Sequence, residues 1–276
     1  MIIDCKEIKA SKIEGLKERI SKIDHIFTLN IIIVGSNDAS SVYVNNKKKF
    51  ASEIGIECDI VQLPDTIKEE ELISKIEDIN NDSNIDGLLV QLPLPEHIDE
   101  SKIINLVEPT KDVDGFSDIN MGKLVKNQPC LRPCTAEAVL QIIETTGIEL
   151  YGKNVVIVGR SNIVGKPLAN MLINLGCTVT VCNSKTKNIK DFIDTADIFV
   201  SAIGVAKYFD KSYFVDSKDL TVIDVGINRD ENNKLCGDVD TLEVEPLVKN
   251  ITPVPGGVGV LTVVNVTENL IKTKEL

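Results

Sequence analysis

Two short β-branched runs that each end in glycine, LNIIIVG at 29–35 and NVVIVG at 154–159, most constrain what this chain can fold into. A run so short, apolar throughout and closed by a turn residue reads as a strand buried on both faces, the pattern of a parallel sheet. Parallel strands need crossovers of a dozen or more residues, and the segments between the runs have helical length and periodicity. Around the first run the pattern predicts helix over 6–23, strand over 29–35, helix over 39–53, strand over 56–63, helix over 68–80 and strand over 85–92. Around the second it predicts a helix capped by Thr135 and running through 147, a strand and turn at 153–161 and a helix over 165–176. Strands at 177–182, 195–204 and 220–227 follow, and a tail over 261–274 has helical length.

The expected fold class is therefore α/β, with two α/β domains flanking a cleft and the second of them Rossmann-like and dinucleotide-binding. Between the two halves, Pro93, Pro95, Pro109, Pro129 and Pro133 predict a loop-rich connector without long elements. The expected boundaries are 1–135 and 136–260, with the tail at 261–276 packing back on the first domain. A length of 276 residues agrees with two domains, at about 150 residues each.

Composition narrows the function. A net charge of −12 argues against general binding to nucleic acid or anionic membranes, and the absence of Trp argues against a base-stacking platform. Seven cysteines without C-x2-C spacing argue against a zinc or redox motif and for buried thiols. Charges at Asp4, Lys6 and Glu7 break any signal-peptide core, and no apolar run has membrane-spanning length. A cytoplasmic protein with no metal is expected.

In VVIVGRSNIVGKP (155–167) a glycine ends a strand and another opens a helix, where backbone N–H groups and the helix dipole can receive a pyrophosphate. The fit to G-x-G-x-x-G is imperfect: Gly159 takes the first position, Ser161 replaces the second glycine, and Val164 takes the third with Gly165 behind it. The next strand ends in CNSKTK (182–187), which has no acid to meet a ribose hydroxyl. Ser184 and Lys185 there, with Arg160 in the turn, favour NADP over NAD, although Ser184 could equally cap a helix.

In SVYVNNKKKF (41–50), Tyr43 and Lys47 stand four apart and share a helix face, while Lys48 and Lys49 point elsewhere. Such a pair is either a surface contact or a catalytic lysine beside an aromatic. QLPLP (91–95) leaves Gln91 at the mouth of a strand, as a terminator or as a ligand group. KDVDGF (111–116) offers Asp112 for an Asx turn and Asp114 for projection into a cleft, or simply a solvated turn.

SVYVNNKKKFASEIGI (41–56), VQLPLP (90–95), PTKDVDGF (109–116), RPCTA (132–136), VGRSNIVGKP (158–167), IDVGIN (223–228), GDVD (237–240) and TPVPGGVG (252–259) together strongly resemble the bifunctional methylenetetrahydrofolate dehydrogenase/cyclohydrolase family, in the family's order and across nearly the whole chain. The resemblance implies Lys47 as catalytic lysine, Tyr43 as the aromatic that stacks on substrate, Gln91 as the partner that orients Lys47, and Asp114 as the pterin-binding acid. It adds Leu92, Pro93, Pro255, Gly256 and Gly257 as substrate contacts. Gly159, Arg160, Ser161, Ile163, Val164, Ser184, Thr186 and Ile227 are implied as NADP contacts. It further implies a small-molecule folate substrate lying between the domains, and a homodimer formed through the cofactor domains. The implied reactions are oxidation of 5,10-methylenetetrahydrofolate and hydrolysis of the methenyl product to 10-formyltetrahydrofolate; a dehydrogenase with little cyclohydrolase activity is the alternative.

Three sites depart from the family pattern. Ala136 stands where a proline is usual, Val260 and Leu261 replace Pro-Met, and Ala206 with Lys207 replaces Pro-Gly. The second and third departures are expected to alter loops beside the cofactor.

Overall fold

The structure, a computed structural model, describes residues 1–35, 38–214 and 219–275, with no side chains described at 38–43, 45 and 46. The chain divides into two compact units, each made of two stretches of chain: 12–134 with 263–276, and 1–11 with 135–262.

Helix α1 (Cys5–Ser21) precedes β1 (Thr28–Val34), α2 (Asp38–Glu53), β2 (Glu57–Leu63), α3 (Glu69–Asn81) and β3 (Gly87–Val90). The three strands are parallel in the order β2-β1-β3, with Leu29 level with both Cys58 and Gly87. Alternate residues of β1 serve opposite faces, as the pleat requires. Ile31 and Ile33 join Val44, Phe50 and Leu270 on one side, and Ile32 and Val34 join Leu72 and Ile76 on the other. Helix α3 buries Leu72, Ile76 and Ile79 at helical spacing. Its last carbonyls are met by Lys111, whose ammonium donates to Ile79 O, Asn80 O and Asp82 O at 3.0, 2.9 and 2.7 Å.

The proline-rich connector holds more helix than the sequence pattern predicts: α4 (Glu100–Leu106) and α5 (Asp118–Val125). Each is started by a side-chain cap, Asp99 accepting from Lys102 N–H at 3.1 Å and Ser117 accepting from Asn120 N–H at 3.3 Å.

Helix α6 (Cys134–Thr145) leads into β4 (Asn154–Val158), α7 (Gly165–Asn174), β5 (Thr178–Cys182), α8 (Ile189–Ile193), β6 (Ile198–Ser201) and β7 (Thr221–Asp224). A short antiparallel pair, β8 (Asn228–Arg229) and β9 (Leu235–Cys236), then α9 (Thr241–Val244), β10 (Asn250–Ile251) and α10 (Gly259–Lys272) complete the chain. The five-stranded parallel sheet runs β10-β7-β6-β4-β5, over a core of Val156, Phe199, Phe209, Phe214 and Val222. After β5 the chain returns to the far side of β4, so the strand order reverses at the carboxyl end of β4.

Four expectations need correction. Residues 1–11 belong with 135–262 rather than with the first half, because Ile3 N–H donates to Ile251 O (2.9 Å) and Ile251 N–H to Met1 O (3.0 Å), which adds the N-terminal segment beside β10. Helix α6 begins at Cys134, so Thr135 sits inside its first turn rather than capping it. Helix α8 begins after Asn188, so Ser184 does not cap it. Helix α10 starts at Gly259 without a proline, and the Val260 N–H that a proline would lack donates to Gly257 O at 3.1 Å.

No disulfide is formed among the described residues, all seven cysteines are buried, and burial pushes the Cys5 and Cys58 thiols up to about 11. No helix of the described residues is long and apolar enough to cross a membrane, and none of their His, Cys, Asp and Glu side chains form a group of three that could hold a metal ion.

Candidate active site

In the unit of 12–134 with 263–276, three of the singled-out side chains converge at the carboxyl ends of β1 and β3. Lys47, on α2, is 5% exposed, whereas Lys48 and Lys49 are exposed. Its Nζ donates to Gln91 Oε1 at 3.3 Å, and Gln91 Nε2 donates to Leu92 O at 2.7 Å. The second bond fixes the amide so that its oxygen faces the lysine. Leu92 and Pro93 follow through a cis peptide.

The KDVDGF turn is organised by Asp112, which accepts from Gly115 N–H (3.0 Å), Ser117 N–H (2.8 Å) and Asn120 Nδ2 (3.1 Å). The turn presents Asp114, which keeps part of its surface open, yet burial of its carboxyl pushes it up to about 6. The charge of Lys47 opposes that rise and the charge of Asp112 adds to it. Tyr43 lies on α2, and its side chain is outside the described residues.

In the unit of 1–11 with 135–262, the turn after β4 is built for a close approach. Gly159 has φ +123, and a Cβ there would collide with Ala202 O; a Cβ on Gly165 would collide with Gly159 O. Glycine at both positions lets the chain pass tightly from strand to helix at the point where strand order reverses. Ser161 accepts from Val164 N–H at 3.2 Å and so caps the turn into α7. Ile163, 42% exposed, lies on the open side, and Val164 is buried. Arg160, Ser184 and Lys185 are exposed, and Thr186 turns inward to accept from Asn183 N–H at 3.0 Å. Ile227 is 66% exposed after β7. Pro255, Gly256 and Gly257 belong to this same unit, so the expected substrate contacts are divided over the two units.

Two carboxylates escaped the sequence reading of single residues, although IDVGIN and GDVD contain them. Asp224 and Asp238 are 1% and 0% exposed. Burial pushes Asp224 up to about 7, against the pull of the Val239 and Asp238 N–H groups. A buried acid in a strand-end motif was the available signal; the loops it meets are visible only in the fold.

A glycine turn at the switch point of a parallel sheet defines a dinucleotide-binding α/β protein. Known proteins specify it further. Residues 3–114 match the catalytic domain, and residues 133–276 the NAD(P)-binding domain, of tetrahydrofolate dehydrogenase/cyclohydrolase. The bifunctional protein FolD of Ruthia magnifica is 46% identical over 268 residues, covering 97% of this chain and 96% of its own. The structure of the bifunctional FolD methylenetetrahydrofolate dehydrogenase/cyclohydrolase from Campylobacter jejuni superposes with a TM-score of 0.95 at 40% identity, covering 100% of this chain and 98% of its own. FolD from Trypanosoma brucei, solved with NADP cofactor and an inhibitor, gives 0.93 at 32% identity, covering 100% and 97%. The chain belongs to the tetrahydrofolate dehydrogenase/cyclohydrolase family.

Proposed function

We propose that this protein oxidises 5,10-methylenetetrahydrofolate to 5,10-methenyltetrahydrofolate with NADP and hydrolyses that product to 10-formyltetrahydrofolate. The observation that carries the reading is the buried amine of Lys47, directed by Gln91 and sharing the field of Asp114. Bound NADP supplies the hydride acceptor. The protein's part in that step is orientation, since the substrate's own nitrogens stabilise the positive charge that develops.

Hydrolysis asks more of the side chains. Water adds to the methenyl carbon and loses a proton, giving a neutral carbinolamine. Its carbon–nitrogen bond then opens as the departing nitrogen gains a proton and the carbinol hydroxyl gives one up to solvent to become the formyl oxygen, so one proton is released overall. Lys47 Nζ is the group that takes the first proton and returns the second. Gln91 holds the amine in place without adding charge, and Asp114 accepts N–H groups of the pterin. Tyr43 is the proposed stacking partner, with Leu92, Pro93, Pro255, Gly256 and Gly257 as further folate contacts.

The residues that would hold NADP fit it. Gly159 and Gly165 allow the tight strand-to-helix turn at which a pyrophosphate would lie, Ser161, Ile163, Val164, Thr186 and Ile227 would line the dinucleotide, and Arg160 and Ser184 would meet the 2′-phosphate, with no acid at 182–187 to compete. We further infer a homodimer formed by the NAD(P)-binding units, supported by edge strand β5 with Val181, 38% exposed, and the exposed Ile173 and Leu175 nearby in sequence. Seven buried thiols suit the reducing cytoplasm.

The test follows purified protein with 5,10-methylenetetrahydrofolate and NADP, then NAD, recording reduced nicotinamide and the methenyl species separately. Turnover with NADP in excess of NAD and decay of the methenyl species are expected; no turnover with either dinucleotide would sink the reading.

A further inference from the structure

We propose that Asp238 is a positioning residue for the dinucleotide: one buried carboxylate ties the loop leaving β6 to the loop leaving β7, and so holds Val205 and Ile227 as apolar walls for a flat heteroaromatic ring. The inference rests on the dinucleotide reading given above. Asp238 Oδ2 accepts from the Ser201 hydroxyl at 2.9 Å and from Ile203 N–H at 2.8 Å. Its Oδ1 accepts from Val205 N–H and from Asn228 Nδ2, both at 2.9 Å. Four donors occupy the lone-pair sites of an ionised carboxylate, so this acid has no spare capacity for a ligand of its own. What it sets is the geometry of the groups that donate to it.

Those groups lie where a parallel sheet receives ligands, beyond the carboxyl ends of β6 and β7. Ala202, which opens the β6 loop, already abuts Gly159 of the pyrophosphate turn. Val205 is 48% and Ile227 66% exposed, one on each tied loop. Asp224 braces the clamp from behind: it accepts from Gly226 N–H (2.9 Å), Asp238 N–H (3.0 Å) and Val239 N–H (2.8 Å), so the Ile227 loop and the backbone of Asp238 are fixed together.

Asp238→Asn keeps the shape and turns one acceptor into a donor. The Ser201 hydroxyl and the Asn228 amide can reverse to suit, but the N–H of either Ile203 or Val205 then faces a donor and its loop is released. NADP affinity of the folate-free protein, measured by isothermal titration calorimetry, is expected to weaken about tenfold or more, with KM for NADP rising in step. Hydrolysis of methenyltetrahydrofolate, which consumes no dinucleotide, should keep its kcat within about twofold. Asn228→Ala removes one bond to the same oxygen and should weaken NADP binding about threefold; it decides the matter where Asp238→Asn does not fold. Wild-type affinity in the folded variants, or an equal loss of both activities, would overturn the inference alone. Failure of the unaltered protein to bind NADP would overturn it together with the reading beneath it.

Discussion

At the scale of single residues, burial separates Lys47 from the two lysines beside it. Lys47→Met preserves the apolar stem and removes the proton-transfer group. It should lower methenyltetrahydrofolate hydrolysis by about 10²–10⁴-fold while thermal unfolding stays close to wild type, measured by absorbance decay and circular dichroism. Asp114 makes a pH prediction. Its carboxyl rises from 3.8 to about 6 in the folded protein, so the native state binds the proton more tightly than the unfolded chain. The stability this contributes is fully present below about pH 4 and is lost as pH rises through about 6. Asp114→Asn should therefore gain denaturant resistance relative to wild type at pH 7.5 and show no gain at pH 4. Lys207 has φ +49, in the left-handed region, where the family pattern has glycine. Lys207→Gly removes that cost of about 1–2 kcal/mol and forfeits an exposed ion pair to Asp240, worth less; a Tm raised by a few degrees is expected. Spacing alone separated Lys47 from Lys48 and Lys49 onto another helix face, and the difference in burial follows that separation. Asp238 was not legible, because its role depends on two loops that meet only after folding.

Individual elements differ in how plainly the chain announces them. Strand β1 and helix α3 repeat their pattern over enough residues to be read directly. Helices α4 and α5 rest on one capping side chain each, Asp99 and Ser117, amid prolines that predict loop. Edges shift by a residue or two, as at Cys134, because terminal turns are decided by local bonding rather than periodicity. Helix α10 is held by polar side chains that periodicity does not mark. Buried Asn269 donates through Nδ2 to Val113 O at 2.9 Å and Arg132 O at 2.8 Å, and Asn265 to Cys134 O at 3.0 Å. Asn269→Leu fills similar space without those donors. It should destabilise the protein by about 2–4 kcal/mol, read as a lower urea midpoint with an unchanged slope.

For the molecule as a whole, the α/β class followed from the alternation of elements, and the glycine turn placed the dinucleotide in the second half. The placement of residues 1–11 did not follow, because the bridge that joins the N-terminal segment to Ile251 decides where they belong. Such a bridge has no periodic signal. The proposed dimer through β5 predicts that Val181→Lys shifts the mass in sedimentation equilibrium from two chains toward one, since a charge on an apolar strand edge opposes pairing.

The divided units also bear on synthesis. The unit that opens at residue 12 takes in residues 263–276, and Leu270 and Ile271 are wholly enclosed in its core. A ribosome makes 135–262 between 12–134 and 263–276, so the half of the enzyme carrying Lys47 has most of its chain before the other half's main stretch yet can close its core only after it. Until the final helix emerges, that half waits with apolar core surface open to chaperones.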